Sequence, residues 1–367
     1  MINRRTLVTV AGAVALAPAA HAQRGPYWDS RASMPWAIQE IYAAAWGERI
    51  ITAGGLAAGP DGLHISDRTA LYDTRRDVWE EGPRLPEARH HPMIVVAEGK
   101  PYALGGYQRS DRGDWTSTTD IWMLDEEWTP AGTMPAPQAE TVGVEYGGRI
   151  HLIGGRAPHG SGDGGWNDQG DIDAHRIFNP QGGQWEEAAP LPMARNSAAA
   201  CVMDGAIWVA GGRTVSGGGT GRLDRYDAVR DRWDALAPIP PSPATGRQVG
   251  GGLAMGTLGG RLIAFGGEWF GSDNTARQGG VFTETWIYDP MRDVWFRGPP
   301  MPTPRHGLAA GDKEALVFGP QFAEPSLATK QAPAPAAAVV GPELYAIAGG
   351  AVVGGGEASP ALEVFTL

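Results

Sequence analysis

A pair of glycines recurs along the chain and constrains the fold more than any other feature of the sequence. Each pair follows a short apolar run such as RLIAFGG, and most pairs stand about fifty residues apart. The pairs are Gly54-Gly55, Gly105-Gly106, Gly154-Gly155, Gly211-Gly212, Gly266-Gly267 and Gly349-Gly350. Self-similarity at a fixed period of this length indicates a repeat architecture, in which each repeat is one small structural unit.

A second signature follows most of the glycine pairs: an aromatic residue, a turn, and a Trp seven residues later. It reads YDTRRDVW at Tyr72–Trp79, FNPQGGQW at Phe178–Trp185, YDAVRDRW at Tyr226–Trp233 and YDPMRDVW at Tyr288–Trp295, with a shortened MLDEEW at Met123–Trp128. A proline-containing linker such as PLPMAR comes next. Short strands of this kind cannot bury both faces alone, so we expect four-stranded sheets that stack radially.

The combination of glycine pair, aromatic residue and Trp resembles the Kelch repeat, from about residue 27 to the C-terminus. The resemblance implies an all-β, six-bladed Kelch-type β-propeller. Six Trp residues stand at the outer-strand position: Trp28, Trp79, Trp128, Trp185, Trp233 and Trp295. Because Trp28 precedes the first glycine pair and LEVFTL ends the chain, we expect the N-terminal and C-terminal strands to close the ring in one blade.

The sixth repeat is irregular. Residues 311–338 carry two of the chain's three lysines and end in Ala/Pro-rich sequence, which is typical of a loop. We interpret them as an insertion into the last blade of a single propeller domain spanning residues 23–367. A degenerate seventh blade built on ALVFGP is the alternative, although this stretch lacks the Tyr–Trp signature.

The N-terminus has the pattern of an export signal. Arg4 and Arg5 precede an apolar run over Leu7–Ala17, and Ala20-His21-Ala22 matches a cleavage site. The twin arginine resembles a Tat signal over residues 1–22, with an ordinary Sec signal as the alternative. Either signal predicts a periplasmic or secreted protein. No internal stretch is long and apolar enough to span a membrane.

Charge and cysteine content exclude several classes of partner. The formal net charge is −11, and loss of the two signal arginines makes it −13, which argues against nucleic acid and anionic membrane surfaces as partners. Cys201 is the only cysteine, so an intramolecular disulfide is impossible. We interpret it as a buried, inert thiol, and we expect the protein to be a monomer.

Strand direction predicts which face of the propeller carries function. In an antiparallel meander, the linker into the first strand lies on the same face as the loop between the second and third strands. By resemblance to Kelch domains of known binding mode, these two position types line the ligand pocket. The predicted ligand-binding residues are Arg89, His90, Gln138, Glu140, Arg156, Arg195, Asn196, Arg213, Arg247, Glu268, Arg305 and His306.

Six of these residues are arginines from different repeats, and they suggest the chemistry of the ligand. The acids that we place on the same face are Glu40, Glu140 and Glu268, so we expect a surplus of guanidinium groups around one mouth of the channel. Guanidinium groups bind carboxylates through paired hydrogen bonds. The sequence therefore predicts a small anionic ligand, carboxylate-bearing and possibly a carbohydrate. Alternatively, the arginines cap loops or pair with acids.

Signals for catalysis are weak, and no catalytic residue is assigned. The sequence has no nucleotide-binding loop, zinc-protease motif or nucleophile elbow, and we expect neither metal nor cofactor. Copper oxidases of the Kelch type need a cross-linked cysteine and tyrosine, for which Cys201 has no evident partner. His90-His91 and His306 are interpreted as hydrogen-bonding residues, with metal binding as the alternative. The loop around Asp163–Asp173 is interpreted as solvated, because its spacing does not match an EF-hand, with calcium binding as the alternative.

Two further functions stay open. Some exported Kelch propellers are mutarotases that act on an acidic sugar such as sialic acid, a reaction for which Glu40, Glu140, Glu268 and the histidines supply proton carriers. A protein-interaction scaffold, the commonest role of eukaryotic Kelch domains, is the other alternative. A bound small anion in the channel favours the first two functions, whereas an exposed apolar patch on the loop face favours the third.

Overall fold

The structure, a computed structural model, describes residues 25–216, 218–270, 279–311, 338–339, 343–352 and 357–367. The predicted export signal at residues 1–22 lies outside this part of the chain, and so does the predicted insertion at 311–338 apart from its ends. The described residues are all-β except for one 3-10 turn at Trp166–Asp168. No helix among them is long and apolar enough to cross a membrane.

The strands are short, as the repeat predicts. The first twelve are β1 (Tyr27–Arg31), β2 (Ile38–Gln39), β3 (Ala43–Trp46), β4 (Arg49–Ala53), β5 (Leu56–Gly59), β6 (Gly62–Ile65), β7 (Thr69–Asp73), β8 (Val78–Gly82), β9 (Met93–Ala97), β10 (Lys100–Leu104), β11 (Tyr107–Ser110) and β12 (Gly113–Ser117). The next are β13 (Asp120–Leu124), β14 (Trp128–Thr133), β15 (Val142–Tyr146), β16 (Arg149–Ile153), β17 (Arg156–Pro158), β18 (Gln169–Asp171), β19 (His175–Phe178), β20 (Trp185–Glu187), β21 (Ala199–Met203), β22 (Ala206–Ala210), β23 (Leu223–Asp227) and β24 (Arg232–Leu236). The last are β25 (Leu253–Leu258), β26 (Arg261–Gly266), β27 (Glu268–Trp269), β28 (Gly280–Val281), β29 (Thr285–Asp289), β30 (Val294–Arg297), β31 (Ala309–Gly311), β32 (Ala338–Val339), β33 (Glu343–Ile347) and β34 (Leu362–Thr366).

The described residues form six large antiparallel sheets, which we number along the chain and give from the innermost strand outward. They are sheet 1 (β3-β4-β7-β8), sheet 2 (β9-β10-β13-β14), sheet 3 (β15-β16-β19-β20), sheet 4 (β21-β22-β23-β24), sheet 5 (β25-β26-β29-β30) and sheet 6 (β31-β33-β34-β1, with β32 also on β33). Small hairpins, β5–β6, β11–β12, β17–β18 and β27–β28, stand between the second and third strands of sheets 1, 2, 3 and 5. The predicted Kelch-type β-propeller is confirmed. The blade count stays a prediction, because a seventh blade would need residues 312–337.

The predicted ring closure is confirmed. Strand β1 pairs antiparallel with β34, from Tyr27 opposite Thr366 to Arg31 opposite Leu362. The first described strand is therefore the outermost strand of sheet 6, the sheet that also holds the last strand. Closure of this kind covers backbone groups of β34 that would otherwise present an open edge.

The outer-strand Trp residues fasten each sheet to the one before it. The indole nitrogen of Trp79 donates to the carbonyl oxygen of Ala32 at 2.8 Å, and that of Trp233 donates to Ala189 at 2.8 Å. The same bond recurs for Trp28 with Pro299, Trp128 with Pro83, Trp185 with Thr133 and Trp295 with Ala237. Six sheets are thereby linked in a closed circle. Each indole has its polar atom satisfied and its ring packed between sheets.

The glycine pairs lie where the second strand ends beside the linker of its own repeat. Gly106 has a φ of 87°, and a Cβ on it would lie 2.7 Å from the carbonyl oxygen of His90, so only glycine fits there. In the last repeat the left-handed pair is Ala348 and Gly349, one position earlier than the sequence suggests. Gly350 consequently takes the position that Tyr107, Arg156 and Arg213 have in other repeats, where it bridges to His306. Cys201, at 1% exposure, is buried as predicted.

Trp28 gives a direct test of ring closure. Its ring centroid lies 5.1 Å from those of Phe265 and Phe365, so it joins sheet 6 to sheet 5. We expect Trp28→Ala to lower the free energy of unfolding by ~3–5 kcal/mol, as large-to-small changes of this size do in cores. Urea unfolding measures the loss. Tyr27→Ala, a neighbouring strand residue that is 40% exposed, is the matched control, and an equal loss in both variants would contradict the closure.

Two histidines are buried together between sheets 3 and 4. His151 Nδ1 lies 2.8 Å from His175 Nε2, and both rings pack near Tyr226 of sheet 4. Burial lowers the pKa of His151 to about 3, with a smaller contribution from His175, and lowers the pKa of His175 to about 4. The folded protein therefore keeps both rings neutral where an unfolded chain would protonate them.

This pair predicts acid sensitivity. The unfolded histidines bind protons as the pH falls below about 6.5, whereas the folded ones do not, so stability is present above that pH and is lost below it. We expect a slope of at least ~1.4 kcal/mol per pH unit from this source below pH 6. Urea unfolding from pH 7.5 to 5 should show a flatter dependence for His151→Leu/His175→Met than for the wild type. An unchanged slope would contradict the assignment.

Candidate functional site

One residue in each linker stands in the left-handed conformation just before the innermost strand. These six residues, which we call the inner ring, are Glu40, His91, Glu140, Ser197, Gly252 and Gly307, with φ between 45° and 69°. Backbone hydrogen bonds join them between neighbouring sheets: Glu40 N to Gly307 O at 2.9 Å, Gly307 N to Gly252 O at 3.0 Å and Gly252 N to Ser197 O at 2.9 Å. Ser197 N to Glu140 O and His91 N to Glu40 O continue the series. The inner ring therefore holds six linkers around one axis.

The ends of the second strands lie beside these linkers, as the sequence predicts. Tyr107 bridges to His90, Arg156 to Ala139, and Arg213 to Asn196, while the Glu268 amide donates to Gly251 O at 3.0 Å. The inner ring and these strand ends together form what we call the mouth. A void of about 20 Å³, room for about one water molecule, lies against the inner ring beside Tyr42. The channel is thus constricted at the mouth.

Glu140 contacts more of the described polar side chains at the mouth than its neighbours do, through both oxygens of its carboxylate. Its carboxylate is 1% exposed and accepts hydrogen bonds from Arg156 Nη1 at 3.0 Å, Ser197 Oγ at 2.8 Å and the Tyr107 hydroxyl at 3.3 Å. Arg213 Nη2 lies 3.5 Å from it. Burial alone would raise the pKa of Glu140, but the charge of Arg156, with His91 and Arg213, lowers it to about 2. This carboxylate is ionised and fixes side chains from sheets 2, 3 and 4.

Glu40 and two histidines form a buried chain. His90 Nε2 lies 2.9 Å from the Asp114 carbonyl oxygen, which only accepts, so this nitrogen carries the hydrogen. His90 Nδ1 then accepts from His91 Nδ1 at 2.8 Å, and His91 Nε2 lies 2.8 Å from Glu40 Oε2. Both nitrogens of His91 act as donors, which makes the ring the cationic partner of Glu40.

The pKa values of Glu40, His91 and His90 agree with these hydrogen bonds. Burial alone would lower the pKa of His91, but the charge of Glu40 raises it above its usual value. Burial, followed by the charge of His91, lowers the pKa of His90 to about 3. Burial opposes ionisation of Glu40, yet His91 holds the pKa of that carboxyl well below its usual value. Glu40 and His91 are therefore an ion pair, and His90 is neutral.

His306 stands between two carboxylates on the opposite side of Glu40. Its Nε2 lies 2.8 Å from the Val352 carbonyl oxygen and carries a hydrogen. Its Nδ1 lies 3.4 Å from Glu268 Oε2 and 3.7 Å from Glu40 Oε1, and it makes no hydrogen bond within the described chain. Glu268 in turn forms an ion pair with Arg213 Nη1. A continuous series of ionisable groups thus crosses the mouth.

Three of the predicted site arginines lie elsewhere. Arg89, Arg195 and Arg305 are at most 1% exposed. Each clamps its linker to the third strand of its own sheet through an acid there: Arg89 with Asp120 at 2.8 Å, Arg195 with Asp224 at 2.9 Å and Arg305 with Glu363 at 2.9 Å. The predicted convergence of six guanidinium groups on the mouth is therefore wrong, because the compensating acids come from third strands that the sequence argument did not consider.

Gln138 performs the same clamping role in sheet 3. Its Nε2 donates to Gly154 O at 2.9 Å, while its Oε1 accepts from Arg176 Nη1 at 2.7 Å. Here the cation stands on the third strand and the neutral amide in the linker, the reverse of the other three clamps. Gln138 is 1% exposed, so it is enclosed within its sheet rather than displayed at the mouth.

The remaining predicted residues are brought together, but with their charges balanced. Arg156, Arg213 and the His91 imidazolium face the carboxylates of Glu40, Glu140 and Glu268. His90, Asn196 and His306 surround them; the Asn196 Oδ1 accepts from Arg213 Nε at 3.2 Å. The expected surplus of positive charge in the mouth is therefore absent from these described residues. That they contact a ligand stays a prediction.

Arg247 is the exception. Its guanidinium is exposed, forms no ion pair with another described residue, and stacks on the Trp269 ring with its central carbon 5.2 Å from the centroid. It borders an open cavity of about 240 Å³ between the loops of sheets 4 and 5. The lining includes Arg213, Gly219, Arg247, Gly250, Glu268, Trp269 and Phe270. The Arg213 side chain packs directly on the sheet 5 linker, because a Cβ on Gly251 would lie 2.9 Å from it.

The aspartate-containing loop of sheet 3 is hydrogen-bonded to the neighbouring sheets on both sides. Asp163 accepts from Ser117 N and Gln169 Nε2 at 3.0 Å, and Asp171 accepts from Asn196 Nδ2 at 2.6 Å. The prediction of a solvated loop is wrong for these two acids, because they bond to sheets 2 and 4. No group of three potential metal ligands stands together in the described part of the chain.

Sequence reasoning missed the aromatic groups at the mouth. Trp269 and Phe270 cover Arg247 and Arg213, and Trp166 lies over Arg156 at 4.5 Å. Trp115 packs on His90 with centroids 4.7 Å apart. The dipeptide Trp269-Phe270 directly follows Glu268, which itself follows a glycine pair. That position was the sequence signal that could have placed both aromatic residues at the mouth.

Comparisons with known proteins agree with this architecture. Residues 194–240 match the model of the Kelch motif. Over 74% of its own length, the chain is 27% identical to the Kelch-like protein terF of Aspergillus terreus. Over 72% of its own length, it is 26% identical to Beta-scruin of Limulus polyphemus. It spans only 58% and 28% of the length of these two relatives. The solved structure of YjhT aligns over 90% of this chain and 95% of its own, with a TM-score of 0.67 and 15% identity, which shows the fold alone.

Removal of one clamp arginine is expected to destabilise the fold. Arg305→Ala leaves the buried Glu363 carboxylate without its cation, and we expect a loss of ~3–5 kcal/mol in the free energy of unfolding. Urea unfolding measures it, with the exposed Arg297→Ala as control. Adding Glu363→Ala to the first variant should recover part of the loss. A loss no larger than that of the control would contradict the clamp.

Proposed function

Because the chain belongs to the Kelch-repeat family of β-propellers, we propose that its mouth binds a small carboxylate-bearing molecule. The binding place is the cavity between the loops of sheets 4 and 5. The observation that carries the proposal is Arg247, an exposed guanidinium beside that cavity without an ion partner among the described residues. The buried cations of the mouth already have partners, so Arg247 is the group left to attract an anion.

The cavity supplies the other elements of a ligand site. The Arg247 guanidinium lies over the Trp269 ring, a contact that leaves its N–H groups for the paired hydrogen bonds of a carboxylate. Phe270 adds an apolar wall over Arg213 at 5.1 Å. Glu268 and the glycine backbone add acceptors and donors for neutral polar groups. At about 240 Å³ the cavity is slightly smaller than most ligand pockets, which suits a single sugar acid or a hydroxy acid.

A protein partner is the second candidate, since interaction scaffolds are common among Kelch proteins. The cavity is open and Arg247 stands at its rim, so an acidic side chain or terminal carboxylate of a peptide has access to the same guanidinium. The third candidate, a mutarotase acting on an acidic sugar, is supported by the Glu268 carboxylate, which lines the cavity, and by the His306 imidazole 3.4 Å behind it.

Export is part of the proposal. The twin arginine and the cleavage pattern at residues 20–22 support a mature protein that acts in the periplasm or outside the cell. N-terminal sequencing of the protein recovered from that compartment tests it.

Glucuronate and glucose form a matched pair for the binding test, because they differ in one carboxylate. We expect calorimetry to detect glucuronate binding to the wild type, and Arg247→Ala to weaken it ~10- to 100-fold, the value of a hydrogen bond to a charged group. Arg247→Lys should restore only part of the affinity, because the planar fork is lost. Arg297→Ala, an exposed arginine on the outer strand β30, is the control.

Equal affinities in wild type and Arg247→Ala would contradict this site. Equal binding of glucose and glucuronate would contradict the role of the carboxylate. Tight binding of an acidic peptide with no binding of the sugar acid would favour the protein partner.

A further inference from the structure

The linker of sheet 5 lacks the arginine clamp that fastens three other linkers. The clamp position lies two residues before the inner ring, and it is occupied in sheets 2, 4 and 6 by Arg89, Arg195 and Arg305. In sheet 5 this position is Gly250, where a Cβ would collide with the carbonyl oxygen of Glu268. The arginine of this linker, Arg247, stands three residues earlier and is exposed. The sheet 5 linker is therefore fastened by a different contact.

A buried hydroxyl and a buried acid make that contact. Ser242 lies in the linker, and its hydroxyl donates to Oε1 of Glu284. Glu284 directly precedes β29, the third strand of sheet 5, and its Oε2 accepts from the Thr283 amide at 3.2 Å. The acid thus stands beside a third strand, as in the clamps, but its partner in the linker is a neutral hydroxyl. Consequently Arg247 is not drawn into the sheet.

Ser242 also fixes the turn that carries Arg247. Its amide donates to the Arg247 carbonyl oxygen at 2.8 Å, and its carbonyl oxygen accepts from the Gly246 amide at 2.8 Å. Its hydroxyl oxygen accepts from the Thr245 amide at 3.3 Å, and the Thr245 hydroxyl accepts from the Arg247 amide at 3.2 Å. Residues 243–248 are all exposed. Within the described chain, the hydrogen bonds that join this exposed segment to the sheet therefore run through Ser242.

We propose that Ser242 and Glu284 are positioning residues for Arg247, and the proposal rests on the carboxylate binding proposed above. Neither residue lines the cavity, so their effect on a ligand passes through Arg247. Glu284 holds Ser242, and Ser242 holds the turn, which keeps the guanidinium over Trp269 at the border of the cavity. A guanidinium that is already held in place loses less loop and side-chain freedom when a ligand binds.

The sheet 6 linker supplies a matched control. There the Thr303 hydroxyl donates to Glu363 Oε1 at 2.7 Å, which is the same kind of bond, from a linker hydroxyl to an acid of the third strand. No residue of the sheet 6 linker is among the described residues that line the cavity. Loss of either hydroxyl removes one bond between a linker and its sheet, but only the Ser242 hydroxyl is connected to Arg247.

Calorimetry with glucuronate tests the positioning role. We expect Ser242→Ala to weaken binding ~3- to 10-fold, which is part of the loss expected for Arg247→Ala, because the guanidinium is present but less firmly held. Glu284→Gln keeps an oxygen that accepts from Ser242, so its loss should be smaller. Thr303→Val should bind like the wild type. When Arg247→Ala is already present, adding Ser242→Ala should change the affinity by less than ~2-fold, because its effect then has no route to the ligand.

Each comparison has an outcome that overturns the inference. Wild-type affinity in Ser242→Ala overturns the positioning role and leaves the proposed function intact. An equal loss in Thr303→Val does the same, because it shows a general loosening of linkers, and so does an equal loss when Arg247→Ala is present. If Ser242→Ala does not fold, as judged by urea unfolding, Glu284→Gln decides the question by the same comparisons. Absence of glucuronate binding to the wild type overturns the proposed function and this inference together.

Discussion

The rest of the structure depends on the backbone ring at the mouth. Six linkers turn into their innermost strands through a residue with positive φ, and five hydrogen bonds between neighbouring linkers hold the turns together. At these positions the carbonyl and amide are directed around the axis rather than along a strand, so each linker is fixed to the next sheet. The outer belt of Trp indoles fixes the opposite edge of each sheet in the same circular order. These two sets of hydrogen bonds, at the inner and outer edges of the sheets, fix the positions of the side chains at the mouth.

Within that frame, the buried charges of the clamps and of the mouth are paired with opposite charges. Three arginines clamp linkers to third strands, and the mouth itself pairs three carboxylates with two guanidinium groups and one imidazolium. Such pairs specify geometry more than they add stability, because desolvation offsets much of the attraction. In the proposed function, recognition of the anion therefore depends on Arg247, the exposed cation that borders the cavity in the described part of the chain.

Local and periodic features of the fold were predictable from the sequence. Glycine pairs, aromatic–Trp turns and the position of Trp28 specify the sheets, their order and the closure of β1 on β34. The first two features depend only on residues within one repeat. The closure depends only on the order of the repeats around the ring. The glycine pair of the last repeat was less informative: Ala348 takes a left-handed position there, and residue identity alone does not reveal that shift of one.

The site was only partly predictable. Strand direction predicts which residues lie at one face of the propeller, but it does not predict the direction in which each side chain points. Arg89, Arg195 and Arg305 turn inward because acids on third strands, such as Asp224, stand within reach, and that depends on register between strands distant in sequence. Glu140, Arg156 and Arg213 meet at the mouth as expected, but as a neutral cluster. The cavity beside Trp269 depends on how the loop of sheet 4 packs against the linker and the second-strand end of sheet 5, which the residues of one repeat do not specify.

A crystal structure of the protein with glucuronate tests the central claim most directly. The account predicts density for the sugar acid in the cavity between sheets 4 and 5. Its carboxylate should lie within hydrogen-bonding distance of the Arg247 guanidinium, with the ring against Trp269 or Phe270. Ligand bound on the hairpin face, or at the mouth with its carboxylate turned away from Arg247, would contradict the account.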